Sequence, residues 1–275
     1  MKLVVASGKG GTGKTTVSVN LAVSLGKCTL VDCDVEEPND ALFLGDPRHL
    51  EDVTVLVPEF DLEKCTLCGE CAEFCRYKAI ATIPPKLLYF DELCHSCGGC
   101  AIICPVDAVS EKPKMIGEVR TMSVGDIDFY DGRLSIGEPA ASPVIRRLNA
   151  VDYEGLAIYD SPPGTACPVL ETLKRADFAL LVTEPTPFGL NDLKLAVDVV
   201  RAMDIPIGVV INRDGIGDSG VEDYCAEDGI EIMMRIPEDR RIAELYSEGR
   251  AFADVLDGYG DMFRGLMARI EAVVR

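Results

Sequence analysis

The stretch Leu3-Val-Val-Ala-Ser7-Gly8-Lys9-Gly10-Gly11-Thr12-Gly13-Lys14-Thr15-Thr16 decides the fold. A short apolar run enters a glycine-rich turn. The turn opens into a helical stretch from about Lys14 to Leu25. Glycines at 8, 10, 11 and 13 let backbone N–H groups turn inward around phosphate oxygens, and the following helix adds its positive end. Lys14 is placed to reach the β- and γ-phosphates of a nucleotide, and the Thr15 hydroxyl to ligate Mg²⁺.

Outward from this loop, the chain alternates between apolar runs and helical stretches. Thr29-Leu-Val-Asp-Cys-Asp34 reads as a second strand that ends in carboxylates. Further strands are expected at 156–160, 178–183 and 207–212. Helices are expected near 166–175, 189–203, 219–227 and 259–274. Val-, Ile- and Leu-rich runs between helices predict an α/β fold with a mostly parallel, doubly wound sheet covered on both faces. Asp131-Gly132, between apolar runs in Phe129–Ile136, reads as a hairpin turn.

A second pattern interrupts this rhythm. Cys65-x2-Cys68-x2-Cys71-x3-Cys75 recurs as Cys94-x2-Cys97-x2-Cys100-x3-Cys104-Pro105. Gly69 and Gly98, Ala79 and Ala108, and Ile80 and Val109 recur at the same offset. This spacing wraps [4Fe–4S] clusters, the fourth cysteine of each run reaching across to the other cluster. Cys65, Cys68, Cys71 and Cys104 are thus expected on one cluster, and Cys94, Cys97, Cys100 and Cys75 on a second. A zinc site of paired Cys-x-x-Cys motifs is the alternative, but it needs only four ligands per ion. Pro58 and Pro113 bracket the block, which predicts an inserted α+β domain at 59–114 within an outer domain of 1–58 and 115–275. A unit this small has little core, so bound clusters would supply much of its folding energy.

The net charge of −19, with 14 acids against 4 bases in 214–262, argues against nucleic-acid or anionic-membrane surfaces. No apolar stretch reaches the roughly 18 residues of a membrane helix. The amphipathic stretch 260–275 reads as a core-packing helix. The few residues before the phosphate loop are too short for a secretory segment, so a cytoplasmic setting is expected, with reduced cysteines rather than disulfides. Cys28, Cys33 and Cys225 read as small hydrophobic residues, and His95 as a solvated loop residue beside the second cluster.

Lys9-Gly-Gly-Thr-Gly-Lys-Thr15 resembles the deviant Walker A motif of the MinD/ParA/Mrp class of P-loop ATPases, to which the nitrogenase iron protein also belongs. The resemblance implies that Lys9 reaches the nucleotide of a partner subunit in a face-to-face dimer. Asp32-Cys-Asp34 resembles switch I, which implies that Asp34 positions the attacking water. Asp160-Ser-Pro-Pro-Gly164 resembles Walker B and switch II. It implies that Asp160 holds Mg²⁺ through water and that the Gly164 N–H senses the γ-phosphate. Asn212-Arg213 and Pro237-Glu238-Asp239 resemble adenine-contacting positions, and Thr16 closes the phosphate site. Cys167, just beyond switch II, resembles the bridging cluster ligand of the nitrogenase iron protein, a buried structural cysteine being the alternative.

Over nearly the whole chain, the arrangement is similar to MinD-type ATPases that carry an inserted bacterial-ferredoxin-like domain. The implied cofactors are two [4Fe–4S] clusters, ATP or ADP, and Mg²⁺. The implied activity is slow ATP hydrolysis that gates electron transfer or metallocluster handling. The implied partners are a second copy or a similar ATPase in an ATP-dependent dimer, and a redox or metallocluster protein. Cys225 stands alone, so the C-terminal Cys-x-x-Cys of Mrp-type carriers is missing. A passive electron carrier with a docking-only nucleotide site, or a MinD-like positioning ATPase, are the competing readings.

Overall fold

The structure, a computed structural model, describes residues 1–274; Arg275, the last residue of the terminal amphipathic stretch, lies outside it. Eleven strands run through the described chain: β1 (Lys2–Ala6), β2 (Lys27–Asp32), β3 (Arg48–Phe60), β4 (Ile80–Ile83), β5 (Lys86–Tyr89), β6 (Val109–Val124), β7 (Asp126–Leu134), β8 (Ala157–Asp160), β9 (Phe178–Thr183), β10 (Ile207–Asp214) and β11 (Glu231–Pro237). Nine of them form one sheet in the order β11-β10-β9-β1-β8-β2-β7-β6-β3. Strands β11 through β7 in that order are parallel, while β6 and β3 extend the edge in antiparallel fashion.

The helices are α1 (Lys14–Leu25), α2 (Ala41–Leu44), α3 (Glu70–Phe74), α4 (Gly99–Ile103), α5 (Ser142–Leu148), α6 (Cys167–Leu173), α7 (Pro187–Ala202), α8 (Gly220–Glu227), α9 (Arg240–Ser247) and α10 (Tyr259–Val274). The central strands are apolar on both faces because helices cover both. Val4, Val31 and Tyr159 pack with α5 to α8, while Leu3, Leu30 and Ile158 pack with α1 and α10. Each such fully buried aliphatic side chain contributes on the order of 1.5–3 kcal/mol. α7 starts earlier than its apolar pattern suggests. Thr186 caps it by accepting a hydrogen bond from the Gly189 N–H at 3.0 Å, and Pro187 fills the first turn, where no N–H is needed. Among the described residues, no helix is long and apolar enough to cross a membrane.

Asp131-Gly132 is not a turn. Both residues lie inside β7, and the hairpin to β6 closes at Gly125 instead, whose φ of 57° suits a tight reversal. Asp131 is fully buried and takes a two-pronged ion pair from Arg120 of β6. Gly132 is required by packing. A Cβ there would lie 2.7 Å from Val35 and 2.8 Å from Val144. A charge pair and a close contact therefore wrote the dipeptide that resembles turn chemistry.

β3 and β6 form a long antiparallel ribbon, paired from Arg48↔Thr121 to Phe60↔Val109. Pairing continues through Pro58 and Pro113. Beyond Phe60 and before Val109 lie the separate two-stranded sheet β4-β5, α3 and α4. The sequence repeat is also a backbone repeat. Leu67 and Ser96, Gly69 and Gly98, and Lys78 and Asp107 all have positive φ. The short helices α3 and α4 follow Gly69 and Gly98.

Candidate functional site

The C-terminal ends of the parallel strands meet at one edge of the sheet, the usual ligand edge of such folds. Register fixes what gathers there. Asp160 of β8 lies beside Val5 of β1 and Asp32 of β2, and Asp32 lies beside Asp131 of β7. The phosphate loop spans the gap between β1 and α1. Gly13 has φ 98°, and a Cβ on it would sit 2.2 Å from Asn212 Nδ2. Asn212, at the end of β10, donates from that nitrogen to the Thr12 carbonyl at 2.8 Å. The expected adenine contact is thus also a strut holding the loop. Lys14 is buried at the head of α1.

Thr15 donates to Asp160 Oδ2 at 2.7 Å, while Asp160 Oδ1 is buried with no partner. An orphaned buried carboxylate oxygen beside a hydroxyl fits a hard divalent cation, which takes oxygen ligands. Burial pushes the Asp160 carboxyl up, and Lys14 and Thr15 pull it back. Asp34 is half-buried. Burial pushes its carboxyl up to about 6, against the pull of Lys14.

Asp32 is a clamp. Its Oδ1 accepts from the Asp34 N–H at 2.9 Å, and its Oδ2 from Asn39 at 2.8 Å and Asp40 at 3.1 Å. Asp40 has no place in the motif reading of the sequence. It is fully buried, and its oxygens lie with those of Asp32 and Asp160 within 4.8 Å of one another. Burial and the charges of Asp160 and Asp32 push its carboxyl well up. The signal for it is a third aspartate close behind Asp32-Cys-Asp34, in a segment whose Pro38-Asn39 suggests only a turn.

Lys9 does not lie free. Its Nζ is 3.8 Å from Glu184 Oε2, at the end of β9, and Arg213 Nη1 donates to the other Glu184 oxygen at 2.8 Å. Glu184, nearly buried, therefore joins two predicted site residues, although it belongs to no motif. The Gly164 N–H donates to the Ser7 carbonyl at 3.1 Å. It is committed to the backbone in this state rather than presented to a phosphate. Glu238 N–H donates to the Asp214 carbonyl at 3.0 Å. Asp239 caps α9 and also binds the Arg241 guanidinium, so its carboxylate is spent locally.

At the far end of the ribbon, the cysteines form two sets. Cys65, Cys68, Cys71 and Cys104 line one small pocket. Cys75, Cys94, Cys97 and Cys100, with Cys71 at the border, line a cavity of about 490 Å³. Backbone N–H groups of Ser96 and Ala108 donate to Sγ of Cys94 and Cys104 at 3.4 and 3.2 Å. Such amide–sulfur bonds tune cluster thiolates, so this donor set fits iron–sulfur clusters. Burial pushes the Cys100 thiol up to about 11, so ligation there must release a proton. His95 is exposed and stacks on Tyr77, with ring centroids 3.6 Å apart, beside the larger cavity. Cys167 is exposed at the start of α6, whereas Cys28, Cys33 and Cys225 are buried.

Comparison with known proteins agrees with this geometry. An uncharacterized protein of Methanocaldococcus jannaschii is 32% identical over 260 residues, covering 92% of this chain and 91% of that protein. The iron-sulfur cluster carrier protein of Pyrococcus horikoshii is 24% identical over 268 residues, covering 88% of this chain and 76% of that protein. The septum site-determining protein MinD of Pyrococcus horikoshii, solved with Mg-ADP, shares the fold at a TM-score of 0.58 and 22% identity, covering 99% of this chain and 96% of that one. The CobQ/CobB/MinD/ParA nucleotide binding domain matches residues 3–252. With its phosphate loop between β1 and α1 and its aspartates at the ends of β2 and β8, the chain belongs to the CobQ/CobB/MinD/ParA family of P-loop ATPases.

Proposed function

We propose that this protein is an ATP-hydrolysing iron–sulfur protein whose nucleotide state gates electron transfer or metallocluster handling with a protein partner in the cytoplasm. One observation carries the reading. Val35, next to Asp34, accepts a hydrogen bond from Leu134 at 2.8 Å, and Leu134 pairs with Gly117 of β6, the strand that runs out to the cysteines. A shift of the Asp32–Asp40 segment thus has a short hydrogen-bonded route to the ribbon. The likeness to an iron-sulfur cluster carrier supports the same reading.

In this reading, the loop N–H groups and Lys14 hold the phosphates, and Thr15 and Asp160 hold Mg²⁺. Asp34 orients the attacking water, as the orienting residue does in phosphoryl transfer generally. Asn212 and Arg213 flank the base. Lys9 leaves Glu184 and crosses to the nucleotide of a second copy or a similar ATPase. Gly164 exchanges its Ser7 bond for the γ-phosphate, which draws on the segment that leads to Cys167. The cysteine sets 65/68/71/104 and 94/97/100/75 would each hold one [4Fe–4S] cluster, and the clusters would supply one-electron chemistry.

The test is an anaerobic preparation assayed for iron and for turnover. It should carry about eight irons per chain, with visible absorption that bleaches on reduction. ATP turnover should differ between oxidised and reduced protein. Stoichiometric zinc without iron, or turnover indifferent to cluster state with and without co-purifying proteins, defeats the proposal.

A further inference from the structure

We propose that Asp40 is a further residue of the divalent-cation site, holding the metal's water beneath the phosphate loop. The inference rests on the reading that Thr15 and Asp160 hold the cation of a bound nucleotide. Asp40 stands at the N-terminal cap position of α2, where an aspartate ordinarily accepts a backbone N–H. Its side chain accepts none there. It points into the interior, where neither carboxylate oxygen meets a donor group and the Asp160 carboxylate is its polar neighbour. It is 0% exposed, so bulk solvent does not reach it. The third orphaned oxygen nearby is Asp160 Oδ1, on the residue already assigned to the metal.

The neighbours define what Asp40 faces. Asp32 spends its oxygens on the N–H groups of Asp34, Asn39 and Asp40, and so fixes the turn that delivers Asp40 to Asp160. Of the cations nearby, Arg120 is engaged with Asp131, and Lys14 acts on Asp160 and Asp34 without bonding Asp40. Buried carboxylates this close must share either a proton or a cation, and metal binding releases the proton. Magnesium is bound by one or two carboxylates and keeps several of its waters. Outer carboxylates that hold such waters raise metal affinity, and their loss typically costs about 10- to 100-fold. Asp40 is placed for that task beside Asp160, and the Thr15 hydroxyl for direct approach.

The test uses Mn²⁺ as the probe. Free Mn²⁺ is followed by electron paramagnetic resonance in titrations of full-length protein with a non-hydrolysable ATP analogue. Asp40→Asn keeps the shape and removes the charge; if it does not fold, Asp40→Ser is judged in the same way. The variant should bind Mn²⁺ about 10-fold more weakly than the parent. Analogue binding in the presence of chelator should be unchanged, a separation that a merely structural role would not give. Equal Mn²⁺ affinity in parent and variant overturns the role of Asp40 and leaves the nucleotide site standing. Parallel loss of metal-free analogue binding also overturns it, because the residue then only supports the fold. Failure of the parent itself to bind Mn²⁺ with the analogue overturns the nucleotide-site reading, and this inference with it.

Discussion

Replacing Glu184 with Gln should strengthen the ATP-dependent dimer. In the free chain, Lys9 is paired with Glu184 at 3.8 Å, with side-chain exposures of 34% and 11%. A lysine that crosses to a partner's nucleotide must first leave this carboxylate. Coulomb attraction alone would make that expensive, but Lys9 is a third exposed, and exposed pairs are worth only about 0.2–1 kcal/mol net. Two lysines would cross per dimer, so the penalty is about 0.4–2 kcal/mol, or roughly 2- to 30-fold in the dimer dissociation constant. Glu184→Gln removes the charge and keeps a hydrogen-bond acceptor for Arg213. The assay is sedimentation equilibrium with ATP on an Asp34→Ala background, which slows turnover. A nucleotide titration run in parallel isolates any effect passing through Arg213. An unchanged or weaker dimer at equal nucleotide affinity would refute the argument. Glu184 would then be a fixed structural carboxylate, and the closed state would leave Lys9 at home.

Three other perturbations rest on particular contacts. Gly13→Ala should cost about 1–2 kcal/mol for the left-handed backbone alone, plus the Asn212 strut that its Cβ displaces. Asn212→Ala should therefore give back part of the loss in a urea-unfolding double-mutant cycle, and strict additivity would contradict the clash. Arg120→Met strands the buried Asp131 and should destabilise by about 3–5 kcal/mol in the same assay, with Asp131→Leu restoring much of it. The Asp34 carboxyl, raised by burial to about 6, should impose an acid limb on kcat/KM. The rate should fall as pH drops through about 6, and Asp34→Asn should abolish the limb. The sign for stability is opposite. The folded state keeps this proton to a higher pH than the unfolded chain, so its contribution is present below the ordinary value of 3.8 and is lost as pH rises through about 6.

Strands that carry their own signal are legible in the sequence. β1, β2, β8, β9 and β10 are short apolar runs because both faces are covered, and the glycine-rich loop marks both the end of β1 and the start of α1. β3 and β6 are not legible as strands. They run out at the sheet edge, and residues such as Asp52, Glu59, Glu111 and Lys112 face solvent, so apolar periodicity fades. β11 is hidden because its run breaks at Arg235, which lies on the exposed side and pairs with Glu222. At the site, the motif spacing points to Lys14, Thr15, Asp34 and Asp160. Long-range pairings carry no local mark, so Glu184 between Lys9 and Arg213, and Asp40 against Asp160, emerge only when the strands are set side by side.

The pairing of Phe60 with Val109 has a consequence for how such a chain could arise. The cysteine-bearing segment leaves and re-enters at two residues that are already neighbours across a ladder. Its insertion therefore asks nothing of the sheet. No strand changes place, and the ribbon would end equally well in a two-residue reversal of the kind that closes ordinary hairpins. Joining ends that already touch adds little loop entropy, which grows only slowly with the length enclosed. A nucleotide-binding chain could thus acquire or shed its cysteine-bearing head in a single genetic event and remain foldable at each step. The ribbon is in this sense a socket, and heads of other chemistry would fit it.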